Sequence, residues 1–177
     1  MIETERLILR PFRDEDREAF AAINADPRVG DWLGGVIDRA ASDALVDRIT
    51  ARAARNGFDY CIAERKCDSR VVGMIGLRLL EEPPAGPCIE MGWRLASDAQ
   101  GAGLATEGAA AALAWGFANL DVAEIIAFTA HTNLRSQAVM QRIGMARTPA
   151  RDFLHPALAE DHPLRRHVVF VAKRENS

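Results

Sequence analysis

The sequence is short of cysteine and histidine and has no long uninterrupted apolar run, and these shortages exclude several classes of protein. Its three cysteines are odd in number, and no Cys-x-x-Cys or paired Cys/His spacing indicates a disulfide framework or a zinc site. We therefore expect reduced thiols, no bound metal and a cytoplasmic location. Charged residues stand where a signal peptide needs an apolar stretch, and the most apolar segment, residues 109–120, ends at Asp121. Neither export nor a membrane span is expected.

A strong excess of one charge is also missing. The net charge of -3 leaves no broad basic field, so direct binding of nucleic acid is not expected. The chain has 177 residues, 49% of them apolar and 27% charged, which is typical of a domain with a packed core. Since the chain has no internal repeat or long linker, we predict one domain over residues 1–177, acting as a monomer or a homodimer.

Alternating apolar patterns and turn residues indicate an ordered series of strands and helices. Strands are predicted over residues 6–12, 58–65, 70–80, 88–96, 123–130, 145–153 and 167–173. Helices are predicted after an N-cap at Asp14 and over residues 39–55, 103–120 and 134–143. The three prolines of segment 81–87 predict a loop. This order predicts an α/β or α+β fold with a sheet that is mostly antiparallel at first.

A glycine-containing turn joins the fourth long strand to the alanine-rich helix. Its residues are Gln100, Gly101, Ala102, Gly103, Leu104, Ala105 and Thr106. Glycines allow a phosphate to approach the backbone, and free N–H groups at a helix start attract anions, so a diphosphate site is predicted. A Walker A loop is excluded because no Gly-Lys-Ser/Thr follows, and Thr106 breaks the Rossmann pattern. Taken by itself, this stretch is also compatible with a turn that holds no ligand.

The residues of this turn carry a more specific likeness. Gln100-x-x-Gly103-x-Ala105 matches the Gln/Arg-x-x-Gly-x-Gly/Ala signature of the GNAT N-acetyltransferase superfamily. Further segments agree in the same order, namely residues 4–10 (TERLILR), 72–77 (VGMIGL), 133–136 (NLRS) and 142–145 (RIGM). The chain therefore resembles that superfamily over nearly its whole length, and within it the branch of the RimJ and RimL ribosomal-protein acetyltransferases.

The resemblance implies a mixed, mostly antiparallel sheet of about seven strands whose fourth and fifth strands splay apart. It implies acetyl-CoA as acyl donor, with the pyrophosphate on residues 100–106. The pantetheine arm is expected to lie along the fourth strand and the last helix, at Trp93, Arg94, Leu95, Asn133 and Ser136. The acceptor is implied to be a primary amine that attacks directly, with a protein or peptide N-terminus favoured over a small-molecule amine. A non-catalytic acyl-CoA-binding module and a nucleotide-dependent oxidoreductase are the alternatives.

Two residues are candidates for proton transfer in such a reaction. Glu90 lies on the strand face opposite Trp93 and matches the glutamate that some members of the superfamily use as a general base through water. Ser136 matches the serine proposed to protonate the departing CoA thiolate. Many members use a tyrosine that is replaced here by Met140, and the only tyrosine is Tyr60. The alternatives are a solvated carboxylate at Glu90 and an ordinary helix-surface serine at Ser136.

The histidines and one acidic loop are weaker candidates. His155, His162 and His167 lack the spacing of a zinc motif, so they are expected to line an acceptor pocket or to pack in a loop or strand. Asp26, Asp31 and Trp32 lie in a glycine-rich loop, where they would meet a cationic amine or be solvated.

Overall fold

The computed structural model describes residues 1–81 and 86–174, which form nine strands and five helices. The strands are β1 (Ile2–Glu3), β2 (Leu7–Arg10), β3 (Tyr60–Arg65), β4 (Arg70–Leu80), β5 (Cys88–Leu95), β6 (Glu124–Ala130), β7 (Ala146–Arg147), β8 (Phe153–Leu154) and β9 (Arg166–Lys173). The helices are α1 (Asp16–Asn24), α2 (Pro27–Gly30), α3 (Arg39–Asn56), α4 (Leu104–Asn119) and α5 (Leu134–Arg142). No helix in the described ranges is long and apolar enough to cross a membrane.

All strands belong to one open sheet in the order β1-β2-β3-β4-β5-β6-β9-β7, with β8 paired to β9. Every pairing is antiparallel except that of β5 with β6, whose parallel contact consists, among the described residues, of the single pair Glu90 and Ile126. Beyond this pair the two strands separate. The predicted mixed, mostly antiparallel sheet is confirmed, with β5 and β6 as the fourth and fifth of its longer strands.

Helices cover both faces of the sheet. On one side, the α3 face, Phe20 of α1 and Val46 and Ile49 of α3 pack against β3 and β4. On the other side, the α4 face, both α4 and α5 pack against the sheet. The small residues of α4 allow a close approach, since a Cβ atom on Gly108 would lie 2.5 Å from the Ile75 side chain.

Three local predictions require comment. The strand predicted over residues 145–153 is wrong, because a 3₁₀ turn at Pro149–Arg151 separates β7 from β8. Proline has no N–H to donate to a neighbouring strand. The N-cap of α1 is Glu15 rather than Asp14. Of the loop predicted over 81–87, residues 82–85 lie outside the described residues.

Candidate functional site

The loop between β5 and α4 exposes backbone N–H groups. Gly101 and Gly103 both adopt the left-handed conformation, with φ of 81°, and Gly103 caps α4 without a side-chain hydrogen bond. Within the described part of the chain, no protein atom accepts a hydrogen bond from the amides of residues 101–106. An anion placed at this loop would therefore find several free donors and the positive end of a 16-residue helix.

Arg6 braces this loop from the side of β2. Its Nε donates to Glu107 Oε2 at 2.6 Å, its backbone N–H donates to Oε1 at 2.7 Å, and its Nη1 donates to the Ala102 carbonyl at 2.8 Å. Thr4 Oγ1 also donates to Glu107, at 2.6 Å. These contacts tie the loop and the first turns of α4 to the start of the sheet.

Glu90 projects from β5 toward the α3 face, where it is buried. Its carboxylate forms an ion pair with Arg78, which lies directly opposite on β4. Burial raises the pKa of Glu90 above its ordinary value, although the nearby Arg78 guanidinium opposes the shift. The alternative of a solvated carboxylate is therefore wrong, because Glu90 is only 6% exposed and the strand register brings a cation to this position.

Tyr60 fills a slot formed by two facing glycines. Gly92 on β5 is paired with Gly76 on β4, and a Cβ atom on Gly92 would lie 2.6 Å from the Tyr60 hydroxyl oxygen. The phenol is buried beside Glu90. Desolvation is the larger cause that raises the pKa of Tyr60, and the negative charge of the Glu90 carboxylate is the second. Tyr60 entered the sequence interpretation only as the sole tyrosine. Its proximity to Glu90 follows from the register of the strands. The glycines at positions 76 and 92, which leave space beside Tyr60, are the signal in the sequence that points to it.

The three predicted cofactor residues that end β5 point to different sides. Trp93 and Leu95 pack into the core of the α4 face, whereas Arg94 points to the α3 face and donates from Nη1 to Asn24 Oδ1 at 2.5 Å. All three residues lie in the part of β5 that is not paired with β6, so their backbone groups share one strand edge. Their side chains are thus not brought together, and a common role for them would be a backbone role.

The other predicted cofactor residues lie around the start of α5 and the end of β5. Asn133 is buried and caps α5, since its Oδ1 accepts from the Ser136 N–H at 3.2 Å. Its Nδ2 donates to Thr129 Oγ1 at 3.1 Å. Gln100 Nε2 donates to the Leu95 carbonyl at 3.1 Å, which ties the glycine loop to β5. The predicted cap is confirmed.

The three histidines fall into two places. The rings of His155 and His167 lie 4.9 Å apart beside Phe153, and burial lowers the pKa of both. His162 instead lines an open groove of about 310 Å³ between residues 27–36 and residues 162–164, which we call the 27–36 groove. Asp31 lines the same groove. The structure thus brings His162 together with the acidic loop and leaves the other two histidines in an aromatic cluster.

Comparison with known proteins identifies this arrangement. Residues 6–146 match the family model described as the acetyltransferase (GNAT) domain. The chain belongs to the GNAT acetyltransferase family. It is an acetyltransferase that uses acetyl-CoA as its acyl donor, which sets aside the oxidoreductase and the non-catalytic binding module.

Individual relatives of this GNAT acetyltransferase are moderately similar. YnaD of Bacillus subtilis (strain 168), named an uncharacterized N-acetyltransferase, is 29% identical over 147 residues, which cover 82% of each chain. The crystal structure of an acetyltransferase from Agrobacterium tumefaciens str. C58 is 26% identical, with a TM-score of 0.78 over 98% of this chain and 94% of that chain. Mycobacterium smegmatis RimJ, solved with CoA-disulfide, shares the fold at 23% identity, with a TM-score of 0.76 over 96% and 82%.

Proposed function

We propose that this enzyme is a RimJ/RimL-like acetyltransferase that acetylates the α-amine of a protein or peptide N-terminus. The observation that carries the proposal is the pairing of Glu90 with Arg78 inside the sheet. Even with its pKa raised by burial, a carboxylate paired with an arginine is a weaker base than a lysine amine, so it suits an amine that is partly neutral before it binds. An α-amine has a pKa of about 7.7 to 8.0, whereas a lysine near 10.4 must lose a proton at a cost of roughly 4 to 5 kcal/mol at pH 7.

The residues of the glycine loop fit the donor. The unpaired amides of residues 101–106 are suited to the pyrophosphate, because two left-handed glycines leave the backbone uncovered. The unpaired edge at the end of β5 offers backbone groups to the amides of the pantetheine arm. Acetyl-CoA would supply the acetyl group as an activated thioester.

Glu90 and Ser136 are proposed to move the protons. Glu90 would accept a proton from the acceptor amine, through a bridging water because its carboxylate is held by Arg78. Ser136 is half-buried in the first turn of α5, and its hydroxyl would donate a proton to the sulfur of CoA. No protein nucleophile is needed, since the amine attacks the acetyl carbon directly.

The shape of the 27–36 groove also supports a chain end as acceptor. It is open to solvent rather than enclosed, and the exposed Gly34 and Gly35 leave backbone uncovered along one wall. An extended peptide uses such a wall for main-chain hydrogen bonds and leaves its remaining residues in solvent. A small amine would leave most of this volume unfilled.

The proposal is tested by CoA release at pH 7 with two matched peptides. One has a free N-terminus and a blocked lysine, and the other has a blocked N-terminus and a free lysine. We expect kcat/KM to favour the free N-terminus by at least about tenfold, since the neutral fractions of the two amines differ by more than this. A preference for the lysine side chain, or activity confined to a polyamine or an aminoglycoside, would overturn the assignment of the acceptor.

A further inference from the structure

Arg94 is a half-buried cation with no acidic partner in the part of the chain that the structure describes. Within the described residues it forms no ion pair, while Arg10 and Arg78 in the same sheet each pair with a carboxylate. Its one side-chain partner is the neutral amide of Asn24, and its buried Nε has no hydrogen-bond acceptor. Burial lowers the pKa of Arg94 to about 10. An uncompensated guanidinium of this kind costs folding free energy, so its presence calls for a functional reason.

The guanidinium is held in one orientation. Asn24 is fully buried, and because its Nδ2 donates to Ser42 Oγ at 2.8 Å, its Oδ1 is left to accept from Arg94 Nη1. This contact uses one end of the guanidinium. The opposite edge, formed by Nε and Nη2, makes no hydrogen bond within the described residues. Of these two nitrogens Nε is closed off from solvent, so Nη2 is the donor that remains for a carboxylate oxygen.

Arg94 lies on the same strand as the proposed base and close to the 27–36 groove. It follows Glu90 by four residues on the same side of β5, in the part of the strand that is paired with β4 but not with β6. Three residues further on, Ser97 Oγ donates to Asp26 Oδ2 at 2.5 Å. Asp26 caps α2, whose Pro27 and Gly30 line the groove. Arg94 also contacts Asn24, two residues before Asp26, so it lies beside the end of the groove where α2 begins.

We propose that Arg94 is a specificity residue that binds a carboxylate of the acceptor through its Nη2 N–H groups. The inference rests on the proposed function, which it narrows to N-termini that carry an anionic group close to the amine. That carboxylate is either the side chain of an acidic second residue or the C-terminal carboxylate of a short peptide.

The test uses matched acceptors with similar amines. Alanyl-aspartate amide is compared with alanyl-asparagine amide for the side chain, and alanyl-alanine with alanyl-alanine amide for the C-terminus. We expect the carboxylate member of one pair to be favoured by roughly 10- to 100-fold in kcat/KM, since hydrogen bonds to a charged group contribute about 1.5 to 3 kcal/mol. In Arg94→Gln this ratio should fall to about one, and in Arg94→Lys it should be intermediate. Arg70→Gln, which removes an exposed arginine paired with Asp98, should keep the wild-type ratio.

A wild-type ratio near one in both pairs, or a ratio that Arg94→Gln leaves unchanged, overturns the inference. Equal loss of activity with both members of a pair, together with a lower Tm, indicates a packing role and also overturns it. If peptides are poor acceptors and another amine is preferred, the proposed function fails instead. The same comparison on that amine, with and without a carboxylate, then decides the role of Arg94.

Discussion

Gly103 and Arg6 face each other at the glycine loop, where a Cβ atom on Gly103 would lie 3.4 Å from Arg6 Nη2. Gly103 keeps the backbone uncovered, while Arg6 fixes the loop through Glu107 and Ala102. The two residues thus make opposite contributions to one feature, since one leaves space for a ligand and the other holds the surrounding backbone in place.

The first prediction concerns Gly103. Gly103→Val should weaken CoA binding by at least about 100-fold, because the side chain covers the free amides and strains a left-handed backbone. Gly57→Val is the matched control, since Gly57 has the same φ of 81° and nothing within 4 Å of its Cβ position. Both variants should lose similar stability, and titration calorimetry should show the affinity loss in Gly103→Val alone. Equal CoA affinity in the two folded variants would place the pyrophosphate elsewhere.

The second prediction concerns Arg6. Arg6→Gln should raise the Kd for CoA by roughly tenfold, because it releases Glu107 and the Ala102 carbonyl and lets the loop move. The loss of Tm should be small, since the side chain is 45% exposed. Arg13→Gln, whose pair with Glu15 is exposed at both ends, is the control. An unchanged Kd in Arg6→Gln would mean that the loop keeps its geometry without this brace.

The third prediction concerns Glu90. If it is the base, the rate should rise with pH as its carboxylate loses a proton, with a midpoint above the ordinary pKa of about 4.3 because burial raises its pKa. Glu90→Gln should lower kcat by roughly 100-fold, remove this acidic limb and leave the Kd for CoA nearly unchanged. Glu3→Gln, at an exposed carboxylate paired with Lys66, should behave as wild type. Retention of the limb in Glu90→Gln would exclude the base role.

The fourth prediction concerns the buried pair of Arg10 and Asp16. Asp16→Asn should lower the free energy of unfolding by about 3 kcal/mol, because the Arg10 guanidinium loses a bidentate partner while buried. Asp14→Asn, at a carboxylate that is 96% exposed, should cost less than about 1 kcal/mol. Urea titration of the three proteins measures both differences.

This stabilisation by Asp16 also depends on pH. Burial would raise its pKa, but hydrogen bonds from Arg10 and the Arg13 amide outweigh that effect and hold it below its ordinary value. The contribution is therefore complete above the unfolded-state pKa of about 3.9 and is lost as the pH falls through the lower folded-state pKa. The difference between wild type and Asp16→Asn should narrow over that range. A constant difference would contradict the pairing.

Several structural features of this protein can be predicted from the sequence because each depends on residues that are close together along the chain. The end of α3 at Gly57, the cap of α5 at Asn133 and the glycine loop before α4 each depend on residues a few positions apart. The prediction of one strand over residues 145–153 was wrong although its cause, Pro149, is also local. A single proline outweighed the surrounding strand-forming residues there.

The sequence by itself determined the order of the longer strands and helices, the family signature and the side of β5 on which Glu90 and Arg94 lie. Only the tertiary structure decided that Glu90 has a cationic partner and that Arg94, among the residues the structure describes, has no acidic one. Arg78 and Glu90 are 12 residues apart, and strand register makes them neighbours. The ionisation of a side chain depends on desolvation and on charges brought close by the fold, so it follows from distances that no pattern along the chain contains.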